Sequence, residues 1–235
     1  MGARQMSQSH TPPVRPLDRA LDALADGLPV LDPDQRIRFA NREAGALTGV
    51  DPAQIIGLSF AEFSAAEVEV GRLLFFDPVL SGSKAVSCAT CHHPRMATAD
   101  GLSLGLGDGA TGLGPDRKVD PANPPEIRIP RNAPALFNLG AAEFTVFFHD
   151  GRLETDASRP NGIRTPLSDD MLGGFASALS AQAMFPVLSA DEMAGHYAEN
   201  DVAQAVRQGL LTGSGGAWDI IAKRVNAIPE YRRRF

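Results

Sequence analysis

The residues most able to do chemistry lie in one short run. Cys88 and Cys91 are the only two cysteines of the 235-residue chain, and His92 follows the second directly. A Cys-x-x-Cys pair can be a redox dithiol or half of a zinc site. A four-ligand zinc site needs a second Cys/His pair at similar spacing, and His10, His93, His149 and His196 are scattered along the chain. Cys-x-x-Cys-His is instead the attachment pattern of c-type haem. The two thiols add to the porphyrin vinyl groups and fix one edge of the ring. The imidazole one step further along a helical turn then reaches the iron. This reading assigns Cys88, Cys91 and His92 to one covalent haem c, with His92 as iron ligand. His93 receives no role.

Net charge is −6, which does not suggest a nucleic-acid partner, and no apolar run reaches the length of a membrane span. Residues 1–16 are polar, read as disordered, and show no export signal. Leu17, Ala20, Leu21 and Leu24 have helical spacing up to Gly27. Residues 28–31 read as a short strand, Asp32-Pro33-Asp34 as a turn, and 36–39 as a half-buried strand. Asn41 and Asp51-Pro52 open two further short helices. The run LPVLDPDQRIRFANREAGALTGV resembles the first half of a PAS sensor domain over residues 17–63, without that fold's remaining strands. A generic helix–hairpin–helix segment packing on its neighbour is the alternative. No His lies between Gly27 and Phe63, so non-covalent haem ligation is not expected there.

The character changes near Ala65. The run EVEVGRLLFFDP predicts a helix that offers Val68, Leu73 and Leu74 for burial and stops before Pro78. Gly and Pro cluster between Gly101 and Pro134, which predicts a long ordered loop with neither strand nor helix. Further helices are expected near 174–184, 201–211 and 217–225, and Pro229-Glu230 opens a last short one.

Residues 65–235 read as a separate domain, and between Val68 and Phe235 they carry VGRLLFFDPVLSGSKAVSCATCHHP, then RNAPALFN, then FFHDGRLE. In that order these motifs resemble the N-terminal haem domain of bacterial di-haem cytochrome c peroxidases and MauG-like enzymes. The resemblance implies a mainly α, cytochrome c-like haem domain with long loops, preceded by the small α/β PAS-like fragment. It implies a periplasmic oxidoreductase that reduces hydrogen peroxide, with electrons from a second haem or a small redox protein such as a cytochrome c or cupredoxin. The chain stops at AIPEYRRRF with no second Cys-x-x-Cys-His, so the resemblance implies half of such an enzyme. A monohaem electron-transfer cytochrome, with Met171, Met184 or Met193 as sixth ligand, and an inactive truncated or fused product remain as alternatives.

The resemblance also assigns residues. AQAMFPVLSADEM matches the family's distal Gln and Glu, giving Gln182 and Glu192 as catalytic groups. Cleavage of the peroxide O–O bond needs a group that takes one proton and returns it to the leaving oxygen. A carboxyl in a partly apolar pocket suits that work. His149 stands where the family often has a Trp relay, Asn132 matches a calcium-binding position, and Arg131 and Arg152 are expected at the haem propionates. The loop ADGLSLGLGDGATGLG lacks the distal His of many family members, so a vacant or water-bound sixth position is expected.

Overall fold

The computed structural model describes residues 29–31, 37–40 and 60–234, apart from 142, 172, 174, 176 and 197–199. The chain divides into two compact units, residues 1–63 and 64–235. In the first, β1 (Pro29–Leu31) and β2 (Ile37–Ala40) pair antiparallel, Val30 opposite Phe39, with a bulge between Val30 and Leu31. The expected turn at 32–34 and the three expected helices of this region lie outside the described residues.

Helix α1 (Phe60–Phe76) leads into the second unit. Val70 is buried, and Leu73 and Leu74 pack on Val79, Val225 and Tyr231. These three follow the i, i+3, i+4 rule of a helix face. Val68, expected to be buried, is 70% exposed. It stands about 200° around the helix from Val70, on the solvent side. Asp77 ends the helix by accepting the amide of Val79 at 2.8 Å and the hydroxyl of Tyr231 at 2.7 Å. Burial, then that carboxylate, push the Tyr231 phenol up to about 12.

Beyond α1 the unit combines short helices with two small sheets. Helix α2 (Cys88–Cys91) is a single turn. The Gly/Pro region is mostly irregular, as expected, yet it contains a minimal hairpin, β3 (Ala110–Thr111) with β4 (Lys118–Val119), around a 3₁₀ turn at Gly114–Asp116. A three-stranded antiparallel sheet follows: β5 (Val146–Phe147), β6 (Leu153–Thr155) and β7 (Ile163–Arg164). Helix α3 (Ala178–Gln182) is shorter than the stretch expected, and a reciprocal Ser177–Ser180 capping box starts it. Helices α4 (Asp201–Arg207) and α5 (Ala217–Asn226) stand where expected, α4 ending short of residue 211, and α6 (Pro229–Arg232) starts at Pro229. One main core joins the sheet to α3, α4 and α5 through Phe147, Leu153, Ala181, Val202, Trp218 and Ile221. Cys88 packs against its edge.

Candidate functional site

The site is built around α2. The Ser87 amide donates to Thr90 Oγ1 at 2.9 Å, the Thr90 amide donates back to the Ser87 carbonyl at 3.0 Å, and the His92 amide closes the turn on the Cys88 carbonyl at 2.9 Å. Ala89 faces inward, so the turn presents Cys88 and Cys91 half-buried and unbridged. His92 leaves the helix at φ −118°, ψ 53°. Its Nδ1 lies 3.0 Å from the Thr98 carbonyl and 3.1 Å from the Pro134 carbonyl. Two acceptors can face only a donor, so Nδ1 carries a proton, and in the neutral imidazole that tautomer leaves the Nε2 lone pair free. A backbone carbonyl fixing the rear nitrogen of an imidazole is how metal-ligating histidines are oriented.

Both carbonyls are themselves held. Thr98 Oγ1 accepts the Leu136 amide at 2.7 Å, which ties the segment after Pro134 to the one after His92. Ala97 and Thr98 have φ of 52° and 59°, a left-handed pair costing about 1–2 kcal/mol each. His93 offsets part of this strain. Its carbonyl accepts the amides of Met96 and Thr98, and its Nδ1 accepts that of Arg95 at 3.2 Å. His93 is thus a turn cap.

Burial pushes the Cys88 thiol up, and pushes Cys91 to about 11 against the pull of Arg117. A catalytic dithiol needs the opposite shift, toward thiolate. Among the described residues no three His, Cys, Asp or Glu side chains converge as metal ligands. Neither feature favours a redox dithiol or a zinc site at Cys88 and Cys91 among the described residues. Asn132 is exposed and has no acidic ligand set around it among the described residues.

A glycine-rich loop wraps Cys91, and Arg117 holds it. This guanidinium is 5% exposed and donates to the carbonyls of Leu106 at 2.6 Å, Gly107 at 2.5 Å and Gly112 at 2.9 Å. Asp100 and Asp108 are buried within reach of its charge. Sequence reasoning missed all three residues. Their one visible signal is charge inside a Gly/Pro run, which solvated loops share. The loop then meets a turn of π-helix at Ala190–Ala194, where the amides of Glu192, Met193 and Ala194 all aim at the Ser189 carbonyl. Such turns are frequent at functional sites. The Asp108 amide donates to the Glu192 carbonyl at 3.0 Å.

Glu192 is half-buried, and its burial raises the carboxyl pKa against opposing pulls from Ser189 and Arg152. Its charge also bears on Cys91, so carboxyl and thiol share one electrostatic environment. Gln182 ends α3, half-buried, and no hydrogen bond to Glu192 joins them among the described residues. Arg152 lies 4.1 Å over the Phe148 ring and bonds Asp150 at 3.2 Å, closing the turn between β5 and β6. His149, beside Phe148, is exposed, as is Arg131. Of the possible sulfur ligands, Met171 and Met193 are committed to the core and Met184 packs against it.

A family model described as di-haem cytochrome c peroxidase matches residues 65–235, and a PAS-fold model matches residues 21–101. The PAS match extends past residue 63 into the haem motif, where the two overlap. The chain is 34% identical over 127 residues to the methylamine utilization protein MauG of Methylorubrum extorquens, covering 54% of this chain and 24% of that protein. It is 37% identical over 113 residues to the cytochrome-c peroxidase IdrP2 of Denitromonas iodatirespirans, covering 47% and 26%. It is 32% identical over 122 residues to the cytochrome c551 peroxidase of Pseudomonas aeruginosa, covering 51% and 30%. The matches thus span about a quarter to a third of these relatives' length.

Proposed function

The chain belongs to the di-haem cytochrome c peroxidase family, and on that footing we propose that residues 65–235 form a mainly α c-type haem domain that reduces hydrogen peroxide. The observation that carries the reading is the His92 imidazole. Its Nδ1 is pinned by the Thr98 and Pro134 carbonyls and its Nε2 is left as a ligand, one residue after Cys-x-x-Cys.

The residues present fit the group. Two unbridged, protonated thiols are ready for thioether formation. Phe137, three residues beyond Pro134, is 62% exposed and offers apolar surface of the kind a porphyrin covers. Cys88 and Cys91 would tether the ring, His92 would bind iron, and Arg152 and Arg131 would meet the propionates. Bound there, haem supplies a redox-active iron for peroxide reduction.

The protein's own part is acid–base work. Glu192, whose carboxylate burial makes more basic, takes and returns the proton that moves between the two peroxide oxygens. Gln182 orients the peroxide by hydrogen bonding. Electrons arrive from a second haem or from a small cytochrome c or cupredoxin, with exposed His149 on the route. Asn132 contributes one oxygen to a calcium site completed elsewhere. The setting is periplasmic, where c-type haem is attached. Among the described residues no helix is long and apolar enough to cross a membrane.

Export with haem maturation machinery tests the reading. The denatured chain should keep the mass of one haem, and Cys88→Ala/Cys91→Ala should lose it. Recovery of apoprotein alone after export and maturation would overturn the haem assignment. A loaded ferric chain whose spectrum ignores added peroxide would overturn the peroxidase assignment.

A further inference from the structure

Three aromatic rings stand in edge-to-face contact beside this site. Phe148 meets Phe185 at 5.8 Å between centroids and 89°, and Phe185 meets Trp218 at 6.4 Å and 83°. Such T-shaped pairs are the favoured arrangement of aromatic neighbours. At one end of the row Arg152 covers the Phe148 ring, and the charge of Arg152 acts on the Glu192 carboxyl. Phe185 lies between Gln182 and Glu192 in the chain. The other end is Trp218, the only Trp of the sequence, 5% exposed in the core against which Cys88 packs.

We propose that Trp218 is a redox-active residue of this domain, giving up one electron when peroxide is reduced. The inference rests on the peroxidase reading above. Reduction of hydrogen peroxide to two water molecules takes two electrons and two protons. One electron leaves the indole, which becomes a radical cation, and the other would come from the bound haem. The protons come from solvent by way of Glu192. The external electron donor, a small redox protein, afterwards returns two electrons, one to the indole and one to the haem.

Indole is among the most readily oxidised side chains, whereas phenyl rings are not. Phe185 and Phe148 therefore serve as packed medium between Trp218 and the pocket, and Trp218 is where the oxidising equivalent rests. The indole Nε1–H donates to the Met184 carbonyl at 2.9 Å. That oxygen accepts a hydrogen bond but is no base, so the oxidised indole keeps its proton and its charge. Of the two tyrosines, Tyr231 belongs to a separate apolar cluster with Val79 and Val225, and its hydroxyl is engaged by Asp77. Tyr197 lies outside the described residues.

The test uses the haem-loaded chain carrying ring-deuterated tryptophan, mixed with one equivalent of peroxide and frozen within milliseconds. Electron paramagnetic resonance should show an organic radical whose hyperfine width narrows with the label, an assignment to Trp218 because no other Trp exists. Trp218→Phe should lose that signal with its haem mass increment intact, and Phe185→Leu should lower its yield. Peptide mass spectrometry after repeated peroxide addition without donor should find oxidation products at Trp218. A chain that consumes peroxide yet shows no label-sensitive radical overturns this inference and leaves the peroxidase reading standing. So does a Phe185→Leu chain with parental radical yield, for the route through that ring. A loaded chain whose absorbance does not respond to peroxide overturns the peroxidase reading, and this inference with it.

Discussion

Replacing Gly107 by Ala tests whether the glycine-rich loop and the Glu192 turn are one closely packed structure. A Cβ built on Gly107 would run into the backbone carbonyl oxygens of Asp191 and Glu192, and would come within 2.7 Å of the Glu192 Cα. Every one of these is a main-chain atom, so no side chain can rotate away. The loop must retreat, which breaks the bond from the Asp108 amide to the Glu192 carbonyl. It also strains the Arg117 bond to the Gly107 carbonyl. Overpacking of this kind costs about 1–3 kcal/mol, and a buried amide and carbonyl left unpaired add about 1–2 kcal/mol. The sum, roughly 2–5 kcal/mol, should move a urea midpoint down by about 1–2 M. Trp218 fluorescence reports the transition, since this sole Trp sits in the core of the same unit. Gly140→Ala is the control, because a Cβ there meets nothing within 4 Å. The peroxide reaction should also slow, since the retreat releases the turn that carries Glu192. If Gly107→Ala unfolds at the same urea concentration as Gly140→Ala, the close approach is not a real constraint and the coupling of loop to turn is wrong.

Glu192→Gln should slow the reaction of the ferric, haem-loaded chain with peroxide by roughly 10²- to 10⁴-fold in stopped-flow mixing while leaving haem content unchanged; a variant as fast as the parent removes Glu192 as the acid–base group. The same substitution has a signed effect on stability. Because burial raises the Glu192 pKa, its protonated form favours the fold below the ordinary carboxylate range, and that contribution is lost as pH rises through the raised value. The variant should therefore gain stability over the parent at pH 7 relative to pH 4, and a gain that instead grows toward pH 4 contradicts the sign. Arg117→Leu leaves the three carbonyls of Leu106, Gly107 and Gly112 without their donor and should cost about 3 kcal/mol or more by denaturant unfolding; a loss under about 1 kcal/mol would mean that water satisfies them. Gly71→Ala, in the exposed middle of α1 with nothing within 4 Å of its Cβ, should stabilise the chain by about 0.5–1 kcal/mol in thermal melts.

What the sequence conveyed depended on how local each determinant is. The periodic helices α4 and α5 and the Pro-started α6 were legible because a few consecutive residues decide them. The burial of Val68 was misread because one apolar stripe admits two phases. Val70 wins once Leu73 and Leu74 meet Val225 and Tyr231, which lie some 150 residues away. The β5–β6–β7 sheet was invisible because each strand is two or three residues long, too short for alternation to register. Its turn forces Phe148 to φ 62°, a conformation that local preference argues against. Packing against Phe185 and the Arg152 guanidinium accompanies that choice.

The candidate site divides along the same line. Cys88, Cys91 and His92 lie within five residues, and the haem role proposed for them can be read from spacing alone. The two carbonyls that aim His92 come from Thr98 and from Pro134, 42 residues downstream, and a carbonyl leaves no trace in side-chain identity. Arg117 shows why charge in a loop is hard to interpret. Read locally, it is one more solvated cation in a Gly/Pro run. Folded, it is the donor that three converging carbonyls require, because buried backbone acceptors must be paired. A loop so rich in glycine cannot bury side chains enough to hold its own shape, so a long cationic donor does that work from within. The same closure presses Gly107 onto the Glu192 turn and sets Arg117 beside Cys91. The loop, the Glu192 turn and Cys91 therefore form one packed arrangement, and a change that loosens Arg117 should be felt at Glu192.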